Sequence, residues 1–244
     1  MSLFLCWGSF LNMLSHRLIH NVSLGGRSHC IHCMHTIAWY DLVPVFSWIA
    51  LKGVCRSCKK PISRLYPFIE LLTLTVFMCM VIYIPVSYWV GYSIFFSALI
   101  VTIRSDLDCM LISRIATLFL IPVGILLSLW PALPITAPES ILGACIGYCF
   151  LWVIATLFAY CMGKEGMGQG DLDLLAFIGA FTGPCGCWVS ILIGSIAGSL
   201  IGLCYLAAVR PLHSIKIPFG PFLAFGALVF VFLKQPLLCF LLGS

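Results

Sequence analysis

Long apolar runs, separated by short polar connections, make up most of the chain. A helix that spans a bilayer needs about 20 mostly apolar residues. The pattern predicts helical spans at 3–15, 66–87, 88–103, 115–131, 139–162, 172–183, 185–209 and 217–241. Because the first and sixth runs are short, the sequence predicts seven or eight spans. We therefore expect an all-α, polytopic transmembrane helical bundle.

The composition supports a membrane protein and excludes an ordinary soluble domain. The 244 residues are 62% hydrophobic and only 9% charged, with a mean hydropathy of +1.12, whereas soluble domains are about one quarter charged. The excess apolar surface must face lipid, which makes membrane lipid the first expected partner. The net charge of +5 is then interpreted through membrane orientation, and no nucleic-acid partner is expected.

The first apolar run is predicted to be a retained helix, with residues 1–15 as the first unit of the chain. It has neither the basic start nor the small-residue cleavage site of a secretory signal peptide. The remaining units are then an insertion at 16–64 and a multi-span core at 65–244.

The basic residues lie almost entirely on one side of the predicted spans. Connections 84–90, 131–139 and 183–187 contain no Lys or Arg. The opposite side carries 12 of the 13 basic residues: Arg17, Arg27, Lys52, Arg56, Lys59, Lys60, Arg64, Arg104, Arg114, Lys164, Arg210 and Lys216. Because short loops rich in Lys and Arg stay in the cytoplasm, this face is predicted to be cytoplasmic and the N-terminus to lie outside.

The insertion at 16–64 is polar, falls on the predicted cytoplasmic face and is too small to bury a sufficient core unaided. It contains two C-x-x-C pairs, Cys30 with Cys33 and Cys55 with Cys58, with 21 residues between the pairs. Two such pairs suit tetrahedral Zn²⁺, and a cytoplasmic location disfavours permanent disulfides. We predict a structural zinc site.

The same cysteine pairs could instead be redox-active dithiols, or a chance arrangement in a chain with 14 cysteines. Most of the remaining cysteines lie in apolar spans, where Cys acts as a small hydrophobic residue. His32 and His35 are near enough in sequence to be spare ligands, although a surface location accounts for both histidines more simply.

Two pairs of aspartates flank apolar runs on the predicted cytoplasmic side. Asp106 and Asp108 end the third span, and Asp171 and Asp173 begin the sixth, behind the glycines of "GKEGMGQGD". Two carboxylates that meet in a low-dielectric place share a proton. The ionised member can then activate water while the protonated member donates to the substrate, which is aspartyl-protease chemistry.

The position of these aspartates at helix ends is also compatible with roles outside catalysis. Acids at helix ends reach water, Asp171 would be favoured by the helix dipole, and Arg104 or Arg114 could pair with Asp106. A proton- or ion-coupled transporter uses similar intramembrane acids, and a redox membrane protein could work through its C-x-x-C pairs. Glu70, in the first turns of the second span, is either a packing partner or a site residue.

Several stretches together resemble the type IV prepilin peptidase family of G-x-G-D membrane aspartyl proteases. They are "GSFLN", the double C-x-x-C region followed by "YPFIE", "SDLDCMLIS", "GQGD" and "IPFGPFLAFG", in the order of the family. A lone G-x-G-D motif is a weak signal. The ordered set covers nearly the whole chain and is specific.

The resemblance implies roles for individual residues. Asp106 and Asp171 match the two catalytic aspartates, and Gly168 and Gly170 match the glycines before the second. Glu70 matches the acid of the family's Y-P-x-x-E, which favours a functional role for it. The implied catalytic residues are Asp106 and Asp171. The implied substrate-binding or supporting residues are Gly168, Gly170, Glu70, Asp108 and Asp173. The implied metal-binding residues are Cys30, Cys33, Cys55 and Cys58.

Two departures from the family pattern stand out. Ile112 and Ser113 replace a frequent Leu-Pro, and Asp173 replaces a common Lys two residues after the second aspartate. Neither change removes a catalytic carboxylate.

The resemblance implies an enzyme of the bacterial inner membrane that acts at the cytoplasmic face. Its expected partners are type IV prepilins or pseudopilins, cleaved after the glycine that ends a basic leader. Members of the family commonly also N-methylate the new N-terminus with S-adenosylmethionine. Because relatives that only cleave generally lack the cysteine region, its retention here favours both activities.

Overall fold

The described part of the protein is mainly α-helical, as the hydropathy pattern predicts. The computed structural model describes residues 1–164, 166–208 and 218–242, without the side chains of 206, 208 and 234–242. The helices in the described part are α1 (Ser2–Ile19), α2 (Phe46–Ala50), α3 (Leu65–Tyr83), α4 (Trp89–Cys109), α5 (Ile121–Leu129), α6 (Ala137–Met162), α7 (Gln169–Ala208) and α8 (Gly220–Leu242). Its extended pairs are the isolated bridges His29–Thr36 and Val54–Pro61.

The helices are those of a multi-pass membrane protein. Within the described residues, four segments are long and apolar enough to cross a bilayer: Leu65–Tyr83, Val86–Cys109, Ala137–Met162 and Gln169–Tyr205. Shorter apolar helices lie at Leu118–Leu129 and Gly220–Leu233. The all-α membrane architecture is confirmed, and the total of seven or eight spans stays a prediction. Arg210 and Lys216, used for the predicted orientation, lie outside the described residues.

Helix α7 contains a sharp break that separates the predicted sixth and seventh spans. Gly183 has φ 76° and ψ −177° inside an otherwise helical run and precedes Pro184. A side chain would be strained at this φ, and proline cannot donate the backbone hydrogen bond that a continuous helix needs. The run Gln169–Ala208 is therefore two helices joined at the position where the sequence predicts a boundary.

The fourth predicted span, 115–131, is shorter than expected. Residues 114–117 form a turn, a 3-10 turn follows at Leu118–Leu120, and α5 begins only at Ile121. Pro122 occupies the start of α5, where its missing N–H costs nothing and its fixed φ suits the first helical turn. Residues 114–117 are therefore not part of α5, and Arg114 contacts Asp173 in the first turns of α7.

Helices α6 and α7 meet backbone to backbone through glycines. A Cβ added to Gly143 would collide with the carbonyl oxygen of Gly179, and one added to Gly179 would collide with the carbonyl oxygen of Gly143. Small residues that permit such close approach are typical of helix packing inside membranes. This contact fixes α7 against α6 and so positions the N-terminal end of α7.

Replacing Gly179 with Leu is expected to destabilise the bundle, because the new side chain has no room between α6 and α7. Overpacking of a tight interface costs about 1–3 kcal/mol or more. Thermal unfolding in detergent measures the effect, and Thr156→Leu on the exposed face of α6 is the matched control. Equal melting temperatures for the two variants would contradict this packing.

Aromatic side chains fill the space between α4 and α7. Phe95 of α4 packs on Phe177 and Phe181 of α7, with ring centroids 5.4 and 5.2 Å apart. All three side chains are fully buried. Pairs of this kind add roughly 0.5–1.5 kcal/mol beyond area burial. The cluster holds together the two helices that carry the aspartate pairs.

Candidate active site and metal centre

Asp106 and Asp171 line the same cavity. Asp106 lies in the last turns of α4 and Asp171 in the first turn of α7, and both border a cavity of about 190 Å³. Gly168 and Gly170 belong to the same lining, together with Met110, Leu111, Ile112 and Gln169. The structure therefore brings together four of the residues that the resemblance selects.

The N-terminus of α8 contacts Asp106 directly. The Gly220 N–H donates a hydrogen bond to Asp106 Oδ2 at 3.0 Å. A Cβ at position 220 would lie only 2.7 Å from that oxygen, so the approach requires glycine. The N–H and the helix dipole both favour negative charge on Asp106. The sequence placed Gly220 in a resembling stretch but gave no reason to assign it to the site.

Gly170 allows the G-x-G-D segment to lie against the other side of the cavity. A Cβ at this position would lie 2.7 Å from Ile112 Cβ. Ile112 follows α4 and is one of the residues that depart from the family pattern. Gly168, by contrast, has nothing within 4 Å of an added Cβ, so close packing does not explain it.

Asp108 belongs to a separate polar network, in which Arg104 is buried and Asp108 is partly exposed. Its carboxylate forms an ion pair with Arg104 at 2.8 Å, and Arg104 also donates to Asn12 Oδ1 at 3.1 Å. The Arg104 guanidinium lies 5.2 Å from the Tyr66 ring centroid, and Asn12 donates to the Tyr66 carbonyl. The network joins α1, α3 and α4. Asp108 is not among the residues that line the cavity of Asp106 and Asp171.

Asp173 also lies outside that cavity lining, in contact with Arg114. Arg114 Nε is 3.6 Å from Asp173 Oδ2, and Arg114 also donates to Gln169 Oε1. The expectation that Arg104 or Arg114 could pair with Asp106 is wrong: in the described structure they pair with Asp108 and Asp173. The helical period explains the first pair, because Arg104 and Asp108, four positions apart, share one side of α4, whereas Asp106 points to another side.

Glu70 anchors the insertion between α1 and α3 to the start of α3. It is 6% exposed, and its Oε2 accepts the Val45 N–H at 2.7 Å. Val45 has φ 63° and ψ −54° in a γ-turn closed by Phe46 N–H donating to Pro44 O. Left-handed φ in a β-branched residue is strained by about 1–3 kcal/mol, so the carboxylate holds an unfavourable turn. This geometry favours the packing role; a functional role for Glu70 stays a prediction.

The four cysteines of the insertion converge. The Sγ atoms of Cys30, Cys33, Cys55 and Cys58 all lie within 4.8 Å of one another, and those of Cys30 and Cys58 are 3.9 Å apart. Four thiolates around one Zn²⁺, at about 2.3 Å each, would be roughly 3.8 Å apart. The arrangement therefore fits a closed tetrahedral zinc site. His32 and His35 are not part of the cluster.

Each pair of cysteines sits on the same kind of backbone loop. Cys30 N–H donates to His35 O and Cys55 N–H to Lys60 O, both near 3.0 Å. The residue after each second cysteine has left-handed φ, 56° at Met34 and 59° at Lys59. Two matched loops of this kind aim both pairs of thiols at a common point. Backbone N–H groups of Cys58 and Ser57 lower the pKa of the Cys55 thiol to about 7, which favours the thiolate form of this one cysteine.

An ion pair links the second loop to the middle of the insertion. Arg56 donates to both oxygens of Asp41, at 2.9 and 2.7 Å, and lies 5.5 Å from the Tyr40 ring centroid. The hydrogen bonds from Arg56 hold the pKa of the Asp41 carboxyl below its usual range. Asp41 is thus part of the insertion's own fold.

The fold and the site together define a multi-pass, all-α membrane protein with two aspartates on one cavity and a four-cysteine cluster. Residues 3–84 match the profile of the bacterial peptidase A24 N-terminal domain, and residues 93–207 match that of the type IV leader peptidase family.

Curated relatives agree with these matches. The chain is 36% identical over 200 residues to a prepilin leader peptidase/N-methyltransferase of Aeromonas hydrophila, covering 81% of this chain and 68% of that protein. It is 35% identical to the protein of the same name from Burkholderia pseudomallei (strain 1026b), over 86% of this chain and 68% of the relative.

A third relative carries a different name. It is the type 4 prepilin-like proteins leader peptide-processing enzyme of Escherichia coli O78:H11, 32% identical over 85% of this chain and 76% of the relative. No solved structure matches significantly. The chain belongs to the type IV leader peptidase family.

Proposed function

We propose that this protein is a membrane aspartyl endopeptidase that removes the leader of type IV prepilins or pseudopilins and N-methylates the new N-terminus. The observation that carries the proposal is the placement of Asp106 and Asp171 on one cavity. The names of the Aeromonas hydrophila and Burkholderia pseudomallei relatives support both activities. Neither the transporter nor the redox hypothesis gains support from the family matches.

The two carboxylates have different roles in hydrolysis: Asp106 is the general base and Asp171 is the general acid. Asp106 keeps the negative charge, because the Gly220 N–H stabilises it, and takes a proton from the attacking water. Asp171 carries the shared proton and donates it to the carbonyl oxygen as the tetrahedral intermediate forms. Asp106 then passes its acquired proton to the leaving amine as the C–N bond breaks, and Asp171 recovers a proton from the collapsing intermediate.

The location of the pair suits a substrate that is itself inserted in the membrane. The C-terminal end of α4 and the N-terminal end of α7 carry the aspartates, next to connections rich in Lys and Arg. With the N-terminus outside, this end faces the cytoplasm of a bacterial inner membrane. A prepilin with a basic leader and an apolar helix would present its scissile bond at that interface, after the glycine that ends the leader.

The cysteine cluster is assigned a structural zinc ion held by Cys30, Cys33, Cys55 and Cys58. When bound, the ion closes the insertion into a fold that its small apolar content cannot support alone. Glu70, Asp108 and Asp173 are assigned supporting roles around the aspartate pair. S-adenosylmethionine is assigned as the methyl donor, on the basis of the relatives' names, and would supply an electrophilic methyl group to the new amine.

A single assay tests both activities. Purified protein in lipid nanodiscs is mixed with a prepilin peptide and S-adenosylmethionine, and the products are read by mass spectrometry. The expected products are the free leader and a mature segment heavier by one methyl group. Unchanged peptide would contradict the peptidase assignment, and cleavage without the added methyl group would contradict the methyltransferase assignment.

A further inference from the structure

Asp173 is buried beside the site without a full set of partners. Asp173 is 5% exposed. Its Oδ2 is buried but accepts no hydrogen bond, which holds for no other buried side-chain oxygen among the described residues. A buried carboxylate is strongly destabilising unless a counter-charge is near. The residue also departs from the family pattern, where a Lys is common. Its charge therefore has to be matched by something particular to this chain.

Arg114 supplies that counter-charge from the other side of the site. Its Nε lies 3.6 Å from Asp173 Oδ2, and its Nη2 donates to Gln169 Oε1. Gln169 and Asp173 are one turn apart on α7, whereas Arg114 belongs to the turn that follows α4. The Arg114 guanidinium thus joins the segment after Asp106 to Gln169 and Asp173, which lie on either side of Asp171 in the sequence.

We propose that Arg114, Gln169 and Asp173 form a clamp that sets the separation of the two catalytic carboxylates, which makes Arg114 and Asp173 positioning residues. The inference rests on the proposed peptidase function. Residues 110–112, between Asp106 and Arg114, line the cavity, as does Gln169. Movement of the segment that carries Arg114 would change the cavity and the distance between the carboxylates.

The geometry favours a clamp over direct contact between Asp173 and the basic leader of a prepilin. Asp173 is not among the cavity-lining residues, and its buried oxygen already faces Arg114. A clamp depends on opposite charges at the two positions and not on which position carries which charge. Gln169 can bond to either charge at position 114, because its amide oxygen accepts from a cation and its amide nitrogen donates to an anion.

A charge exchange tests the clamp. Arg114→Asp and Asp173→Lys each place like charges together, and each is expected to lower kcat for prepilin cleavage about a hundredfold, with little change in KM. The double variant Arg114→Asp/Asp173→Lys is expected to recover most of the lost kcat, and Arg114→Lys to lose little. A double variant no better than the worse single variant would overturn the proposal.

Two controls separate the possible failures. Arg64→Asp removes a basic residue that has no ion pair among the described salt bridges and should leave kcat unchanged. Single variants with a raised KM and normal kcat would mean that Asp173 binds the leader, which contradicts the clamp. Thermal unfolding in detergent identifies variants that fail to fold.

Hydrogen exchange gives a readout that does not depend on catalysis. In nanodiscs, residues 110–117 are expected to exchange faster in either single variant and at the wild-type rate in the double variant. If the wild-type protein did not cleave prepilin but this exchange pattern held, the proposed function would fail while the clamp stood. Equal exchange in all variants would overturn the clamp even if cleavage were normal.

Discussion

Replacing either Asp106 or Asp171 with Asn is expected to abolish prepilin cleavage while leaving the protein folded and inserted. Each substitution removes one half of the proton exchange between water, the scissile carbonyl and the two carboxylates. Loss of a general acid or base lowers the rate of cleavage about a hundredfold to ten-thousandfold. Because the two carboxylates share one proton, we expect a loss at the upper end of that range. Single-turnover cleavage of a prepilin peptide measures it.

Asp108→Asn is the matched control for this experiment. It lies two positions from Asp106 but pairs with Arg104 at 2.8 Å, away from the cavity. We expect it to lower the rate far less than Asp106→Asn does. Equal losses at Asp106, Asp108, Asp171 and Asp173 would contradict the assignment of the catalytic pair.

Replacing Cys30 with Ser is expected to release the metal and unfold the insertion between α1 and α3. Structural Zn²⁺ contributes about 10–16 kcal/mol in small zinc-binding peptides, far more than a segment of this size gains from its own core. Metal analysis should fall from about one zinc per chain to none, and protease should cut the insertion between α1 and α3. Methylation should be lost, whereas cleavage should persist at a reduced rate.

Cys204→Ser provides the control for the cysteine experiment. Cys204 is an exposed cysteine of α7, so its loss should change neither zinc content nor protease sensitivity. Full zinc content and full methylation in the Cys30→Ser variant would contradict a structural metal site.

The sequence predicts those features that depend on local spacing. The paired C-x-x-C motifs predict the cysteine cluster because each short loop can aim two thiols at one point. The break of α7 follows from Gly183 and Pro184, which disrupt a helix for local reasons. The start of α5 could have been placed better, since Pro122 favours the first helical turn.

Contacts between distant segments could not be predicted in this way. Asp106 and Gly220 are separated by 114 positions, and no periodicity relates α4 to the start of α8. The pairing of Arg114 with Asp173 instead of Asp106 depends on how α7 is rotated against the turn after α4. The predicted topology places both aspartate pairs on the same side of the membrane, and the resemblance selects Asp106 and Asp171 from them, because spacing alone allows many arrangements of helix ends.

The strained turn at Val45 also had no signal in the sequence. A left-handed φ is rare for valine, and Glu70, whose carboxylate holds the turn, lies 25 positions away. The sequence left Glu70 as either a packing partner or a site residue. The hydrogen bond explains why a carboxylate is buried in the first turns of α3.

The central claim is that Asp106 and Asp171 act together on one peptide bond. The most direct test is a cryo-EM structure in nanodiscs with a prepilin peptide that carries a hydroxyethylene group in place of the scissile bond. The account predicts that the hydroxyl lies about 2.6–3.2 Å from both carboxylates. A peptide bound elsewhere, or a hydroxyl that contacts only one of the two carboxylates, would contradict it.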